Sequence, residues 1–478
     1  MNKTKLSVLL AAYEAFPFYK RGGLGDVMGS LPKALRDIGI DARVVMPYYH
    51  VVQQQFPQQK IGEASLRFGK ELRQVRFYQG VSAKTGVPVY FIENQKYINL
   101  TNKNVKKIEG FTFFSLSVCS LIIWLAEQNL WRPSIVHCND WHVALIPLIL
   151  QKKLQSSIPT LLTIHNLYYQ GIGSERILDL LNIEDKDAKI LQRGQPANEI
   201  NILGEGVLHA NALSTVSLSY AKEILHDHSR NVIYRYLKAR NTEKHILKKL
   251  IGILNGVDYT LWNPANSPFI KQRYTIDTLS LGKRSSKQYL LDRYQLVDRS
   301  MIVIIGRLAA QKGIDVIARS IEGLVKQNIN LLILGRGHPA IEKVARRLSL
   351  RYPANVRVEI TYSEELAHEF YAGADFVLMP SHYEPCGLVQ MVAMRYGTIP
   401  IASRTGGLID SIEDGKTGFL FKPGSPQDLV KAVKRSLEVY RDAKLLQAMR
   451  ERCMRQDFSW DKSAKEYKKL YQDLLSSR

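Results

Sequence analysis

The stretch Met301-Ile302-Val303-Ile304-Ile305-Gly306-Arg307-Leu308-Ala309-Ala310-Gln311-Lys312-Gly313 reads as one strand and the loop that leaves it. The first five residues form an unbroken apolar run without the alternation of a half-exposed strand. Such runs belong to parallel strands covered by helices on both faces. Gly306 opens a strand-to-helix loop that Arg307 and Lys312 flank at the strand's carboxyl end. A guanidinium and an ammonium placed there can grip a diphosphate by charge-assisted hydrogen bonds. The plainer reading is two solvated basic residues on a loop.

Working outward, similar runs recur along the chain. Downstream lie Asn330–Leu334, Val356–Ile360, Phe376–Met379 and Ile399–Ala402. Upstream lie Leu6–Ala12, Ala42–Met46, Val87–Ile92, Ser134–Cys138, Thr160–Ile164 and Ala212–Val216. Helical patterns separate them, which predicts two doubly wound α/β sheets. Between the two series, Gly252 to Arg284 contains Asn255-Gly256, Asn263-Pro264 and Ser267-Pro268, the turn chemistry of a hinge. Ser459 to Leu475 is amphipathic, with Trp460, Ala464, Tyr467 and Leu470 at helical spacing. It could close either domain.

The whole chain agrees with this reading. At 478 residues it predicts two or three domains. With 45% hydrophobic and 23% charged residues it is neither disordered nor collagen-like. The net charge of +22 suits an anionic partner: a sugar nucleotide, a polyanion or a membrane surface. Cys119, Cys138, Cys386 and Cys453 are far apart, so neither a zinc ribbon nor a disulfide framework is suggested, and a reducing cytosol fits. Leu6–Ala12 imitates a signal peptide but reads as a first buried strand. Phe111–Ala126 carries no charge yet contains four hydroxyl residues and falls short of the ~20 apolar residues of a membrane span. It reads as a buried helix.

Four more motifs sit at strand ends. Lys20-Arg21-Gly22-Gly23-Leu24-Gly25-Asp26-Val27 opens a helix, where free N–H groups and the dipole favour an anion. A glycine turn is the equal alternative. His382-Tyr383-Glu384-Pro385-Cys386-Gly387-Leu388 offers a carboxylate for sugar hydroxyls or for positive charge at an anomeric carbon, or else a helix-start Glu. Thr163-Ile164-His165-Asn166 ends another strand. His137-Cys138-Asn139-Asp140-Trp141-His142 looks metal-like but lacks zinc spacing and reads as a polar patch. Asp185-Lys186-Asp187 imitates a D-x-D metal motif, and His226-Asp227-His228 reads as surface. Gly415-Lys416-Thr417 imitates a P-loop tail without its first glycine and reads as a turn. Lys343, Arg346, Arg347 and Arg351 read as a solvated helix face, without any nucleic-acid motif.

In order and spacing, these motifs resemble the bacterial glycogen synthases and plant starch synthases, the ADP-glucose-dependent glycosyltransferase family 5. Gln170-Gly171, Leu254-Asn255-Gly256-Val257-Asp258 and Arg404-Thr405-Gly406-Gly407-Leu408 complete the set, which spans nearly the whole chain. The resemblance implies a GT-B fold: two Rossmann-like doubly wound domains facing across a deep cleft. It divides the chain into 1–256 on the acceptor side, 257–458 on the donor side, and a C-terminal helix, 459–478, returning to the first domain. It implies retaining transfer of glucose from ADP-glucose to the non-reducing end of an α-1,4-glucan such as glycogen. No metal, cofactor, nucleic acid or integral membrane contact is implied, and the location is cytoplasmic, or plastid after removal of a transit peptide.

Carried over, Lys20, Gly22 and Gly23 line the donor and acceptor cleft, with Asp26 and Asn255 as further contacts. Arg307 and Lys312 hold the diphosphate. Glu384 contacts the transferred glucose, with Cys386, Gly387 and Leu388 giving backbone contacts. His165 lies near the anomeric centre and Asp140 near acceptor or sugar. Tyr362 stands beside the adenine; Thr405, Gly406 and Gly407 stand near the phosphates. The chain departs from the family at Arg21, where Thr is usual, at Asn139, where many have His, and at Gly204-Glu205, where many have Lys-Ala. Val392 occupies the place of the second Glu of E-x₇-E transferases, as is usual for glycogen synthases. The alternatives are a related GT-B transferase using UDP-glucose or another acceptor, and a catalytically weak glucan-binding paralogue.

Overall fold

The structure is a computed structural model that describes residues 6–99, 106–183, 199–226, 232–240 and 250–476. Asp185–Asp187 and Asp227-His228 lie outside the described residues. The chain divides into two compact units. The first comprises Met1–Val216, Ala221–Ile253 and Trp460–Arg478; the second comprises Ser217–Tyr220 and Leu254–Ser459. The division at Ile253 falls inside the turn-rich hinge segment, and the expected boundary at 256/257 lies within the second unit.

The strands of the first unit are β1 (Ser7–Ala11), β2 (Asp41–Pro47), β3 (Gln59–Phe68), β4 (Glu71–Val81), β5 (Pro88–Glu93), β6 (Ile135–Asn139), β7 (Thr160–Ile164), the short pair β8 (Ile172–Ser174) and β9 (Glu199–Asn201), β10 (Ala212–Thr215) and β11 (Leu250–Gly252). The main sheet runs β11-β10-β7-β6-β1-β2-β5-β4-β3. Its centre is parallel, and β1, β6 and β7 are buried along their whole length, as their unbroken apolar runs require. Chain order reverses at β1, which pairs with β2 on one side and β6 on the other. The antiparallel hairpin β3–β4 escapes the sequence reading because its residues alternate between exposed and covered positions and carry many polar groups.

The helix Lys107–Glu127 is apolar all round because it is packed on several sides, with Phe113, Val118, Cys119, Leu121 and Leu125 fully inaccessible. Two of its hydroxyls, Thr112 and Ser117, bond back to Ile108 and Phe113 carbonyls at 2.8 and 2.7 Å. The helix Trp460–Ser476 buries Trp460, Ala464, Tyr467, Leu470, Tyr471 and Leu474 in the first unit. Tyr471 reaches the centre of that sheet: its hydroxyl lies 2.8 Å from Nδ1 of the fully buried His137.

The second unit has β12 (Ser300–Ile305), β13 (Ile329–Leu334), β14 (Val356–Glu359), β15 (Phe376–Met379), β16 (Ile399–Ser403) and β17 (Phe419–Phe421), in the order β14-β13-β12-β15-β16-β17. Every pairing is parallel, and the order reverses between β12 and β15. Lys343, Arg346, Arg347 and Arg351 are exposed on the helix Pro339–Arg351, and Gly415 sits at φ 79° in a turn. All four cysteines are buried free thiols.

Replacing Tyr471 by Phe leaves a buried imidazole nitrogen without its partner. The thermal midpoint is expected to fall, corresponding to about 1–3 kcal/mol, with unchanged far-UV circular dichroism. An unaltered midpoint contradicts a structural role for the His137–Tyr471 bond.

Candidate functional site

In an open parallel sheet, ligands bind beyond the carboxyl ends of the strands at the point where strand order reverses. In the second unit that point lies between the loops leaving β12 and β15. Lys312 comes from the first loop and Glu384 from the second, and Lys312 Nζ lies 2.6 Å from Glu384 Oε2. Ser381 donates to the same carboxylate oxygen at 2.9 Å. The Glu384 side chain is 8% exposed and that of Lys312 25%. A buried carboxylate is tolerable only when paired and hydrogen-bonded, so the ammonium and the hydroxyl stabilise it.

The backbone fixes this pair. Gln311 Nε2 donates to Tyr383 O at 3.0 Å, and His382 N donates to Gln311 O at 2.9 Å. Gly313 adopts φ +70°, and a Cβ there would lie 1.9 Å from Pro380 O. No side chain fits under the β15 loop at that position. On the other side, Gly407 N donates to Glu384 O at 3.0 Å, and a Cβ on Gly406 would fall 2.0 Å from that oxygen. Gly406 and Gly407 begin the helix Gly406–Ser411, for which Thr405 is the N-cap. The backbone N–H of Asn255 faces the Cys386 sulfur, whose pKa burial pushes up to about 12. Gly387, at φ +74°, and Leu388 lead into the helix Val389–Arg395, and Gln390 Nε2 donates to the Cys386 and Gly387 carbonyls. Arg307 is exposed beside the pair and has no carboxylate partner among the described residues. Tyr362 follows β14 and is 74% exposed.

The first unit has its reversal point between the loops leaving β1 and β6. Asp140, directly after β6, has φ 69°, a left-handed conformation that Asp tolerates better than most residues. Its N–H donates to Thr163 O at 2.9 Å, which ties the β6 loop to β7. Its carboxylate accepts from the backbone N–H groups of Asn166, His165 and Trp141, yet burial dominates and raises its pKa to about 7. Oδ1 has no hydrogen-bond partner among the described residues. His165, one residue past β7, is held neutral by burial, which lowers its pKa to about 3. Its Nε2 is 3.0 Å from Asn139 Oδ1. Asn139 Nδ2 donates to the carbonyls of Ala11 and His137, so the amide oxygen faces His165 and the Nε2–H tautomer is fixed. Asn139, an apparent departure, is therefore the side chain that orients His165. His137 is bonded to Tyr471 and Thr163, and His142 stacks on Tyr13 with ring centroids 3.7 Å apart.

The glycine loop has a partner within its own unit. The N–H groups of Arg21 and Gly22 both donate to Glu14 Oε2, the latter at 3.1 Å. Burial raises the pKa of Glu14, and these amides oppose that rise. Glu14 braces the loop from beneath, so that Gly22 and Gly23 enter the helix Gly23–Asp37 in one conformation. Residue type drew no attention to Glu14; an acid just past the first strand and eight residues before the first glycine of the loop is the signal that was there. Lys20 is also engaged: its Nζ lies 2.6 Å from Asp26 Oδ1.

The structure thus gathers Arg307, Lys312, Glu384, Asn255, Cys386, Gly387, Leu388, Thr405, Gly406 and Gly407 at or beside the reversal point of the second unit, with Tyr362 two strands away. It gathers Lys20, Gly22, Gly23, Asp26, Asp140 and His165 at that of the first. Glu14 and Asn139 are the supports that residue type alone did not reveal.

The family model described as the starch synthase catalytic domain matches residues 7–239, and that of the group 1 glycosyl transferases matches 293–455. The chain is 34% identical to a glycogen synthase of Anoxybacillus flavithermus, over 98% of each protein. It is 37% identical to glycogen synthase 2 of Nitrosococcus oceani, over 98% of this chain and 97% of the relative. Among solved structures it resembles the catalytic domain of starch synthase IV from Arabidopsis thaliana, bound to ADP and acarbose, with a TM-score of 0.85 and 29% identity over 99% of each chain. A sucrose-phosphate synthase from Thermosynechococcus elongatus, 17% identical with a TM-score of 0.63 over 99% of this chain and 100% of that one, shares the fold.

Between pH 3.8 and about 7 the folded chain holds a proton on Asp140 that the unfolded chain has released. That contribution to stability is full below the lower value and is lost as pH rises through the upper one. Asp140→Asn is expected to be more heat-stable than the parent near about pH 8, by about 1–4 kcal/mol, and to lose the advantage in acid. A less stable variant at the higher pH contradicts the burial-driven shift.

Proposed function

The chain belongs to the family of bacterial glycogen synthases and plant starch synthases, glycosyltransferases of the GT-B fold, and from that premise we propose that it transfers glucose from ADP-glucose to the non-reducing end of an α-1,4-glucan with retention at the anomeric carbon. The observation that carries this reading is the Lys312–Glu384 pair across the β12/β15 reversal point, with the exposed Arg307 on the same loop as Lys312.

In this reading the donor diphosphate lies at the end of β12. An ammonium has three donors; Glu384 takes one and leaves two for phosphate oxygens. Arg307 supplies a second cation. As the bond between C1 and the phosphate oxygen breaks, negative charge grows on the leaving group, where fixed cations stabilise it most. The acceptor hydroxyl oxygen bonds to C1 from the same face, and its proton passes to the departing phosphate oxygen. Glu384, already held in place, faces the positive charge that develops on the sugar. His165 stays neutral and Asp140 carries the one unsatisfied buried oxygen of its carboxyl group, an acceptor or donor for a sugar hydroxyl. The polypeptide supplies position and field rather than a covalent partner. The basic chain suits its anionic donor, and its buried free thiols suit a reducing cytoplasm.

The test is incorporation of radiolabelled glucose into glycogen from ADP-glucose and from UDP-glucose. ADP-glucose is expected to be the better donor, and Lys312→Ala is expected to lower kcat by about 10²–10³-fold. Undiminished incorporation by the variant defeats the role given to Lys312. A clear preference for UDP-glucose assigns the chain to a related transferase activity.

A further inference from the structure

The mechanism leaves Arg336 unused. It stands between two glycines, Gly335 and Gly337, in the loop that leaves β13, the strand beside β12. Backbone bonds weld this loop to the one that carries Arg307. Gly306 N donates to Leu334 O at 3.0 Å, Leu308 N to Arg336 O at 3.1 Å, and His338 N to Leu308 O at 2.8 Å. Leu308 and Gly337 form a parallel bridge beyond the sheet proper. A Cβ on Gly335 would lie 1.9 Å from Gly306 O, so the backbones are in contact and only glycine fits. Arg336 therefore stands on a rigid pedestal, about one strand spacing of ~4.8 Å from Arg307 and Leu308.

Both arginines are exposed, and among the described residues neither has a carboxylate partner. The nearby acids are committed elsewhere. Glu342 Oε1 accepts from Gly337 N at 2.7 Å, and Glu359 Oε1 accepts from the Tyr294 hydroxyl at 3.0 Å. Two like charges on neighbouring strand ends repel, and an anion bound between them relieves the repulsion.

Sheet order then sets the chemistry. Across the carboxyl edge, from β15 through β12 and β13 to β14, stand Glu384, the pair Lys312 and Arg307, Arg336, and the exposed Tyr362. Acid, two cations, single cation and aromatic ring follow the order of a nucleotide sugar: hexose, diphosphate, ribose-proximal edge of the diphosphate, base. Gly335 N donates to Glu359 O at 3.0 Å, so the third and fourth positions are locked together as well.

We propose that Arg336 is a donor-binding residue that engages the nucleoside side of the diphosphate, its guanidinium reaching the phosphate nearest the ribose. This deepens the donor reading above and rests on it. A cation at that position contacts a group that neither reacts nor changes charge during transfer. It binds substrate and transition state alike, and so acts on KM rather than kcat. It also binds the nucleoside diphosphate product as firmly as the donor.

The experiment measures ADP binding by calorimetry together with steady-state kinetics for the parent, Arg336→Ala and Arg336→Lys. The alanine variant is expected to weaken ADP binding and raise the donor KM by the same factor, about tenfold, while kcat falls by no more than about twofold. The lysine variant is expected to fall between, because an ammonium keeps the charge but loses the fork. If the parent binds ADP and Arg336→Ala binds it equally well, the inference is overturned while the donor reading stands. If the parent does not bind ADP, the donor reading itself fails. A large loss of kcat with KM unchanged also overturns the role given to Arg336.

Discussion

An ammonium and a carboxylate from loops 72 positions apart meet at 2.6 Å where the strand order of the second unit reverses. Most of the surrounding geometry exists to permit that contact. Gly313 turns back beneath Pro380, Gln311 clasps the loop that carries Glu384, and Gly406 and Gly407 close on its other side. Removing Lys312 would leave a nearly buried carboxylate with one hydroxyl for company, a situation that costs about 3–5 kcal/mol in other proteins. The pair is therefore both a tie between β12 and β15 and a preset arrangement of charge. An enzyme that stabilises a departing phosphate needs its cation fixed before the reaction, because reorganisation during the reaction raises the barrier.

The first unit applies a different physical device at its own reversal point. Beside the partly exposed Lys20–Asp26 ion pair, its buried polar groups are desolvated rather than ion-paired. His165 is neutral, burial holds the Asp140 carboxyl well above the ordinary aspartate range, and Glu14 accepts from backbone amides. Such groups recognise hydroxyls, which are neutral donors and acceptors. Cations and an exposed ring on one unit, and shielded polar atoms on the other, match an anionic donor and a carbohydrate acceptor respectively.

Much of this was legible in the residues. The unbroken runs at 301–305 and 376–379 announced parallel strands, because only burial on both faces permits them. Strand–helix alternation announced doubly wound sheets and the family resemblance named residues at their carboxyl ends, whereas the order of the strands, and so the reversal points, came from the structure. What could not be read were relations set by tertiary packing. The β3–β4 hairpin is half exposed and lacks an apolar signature. Nothing in the composition of the glycine loop tells that its amides are taken by Glu14, since that depends on the turn between them. Asn139 looked like a loss of function in the line of residues and is an orienting bond in space. Arg336 drew no reading from the sequence, because only the bonds between the β12 and β13 loops set it beside Arg307.

The most direct measurement is a crystal structure of the protein with ADP. The account requires the diphosphate at the carboxyl end of β12, within hydrogen-bond distance of Lys312 and Arg307, with the base toward the β14 loop. Nucleotide bound at any other place, or Lys312 turned away to solvent with Glu384 left alone, contradicts it.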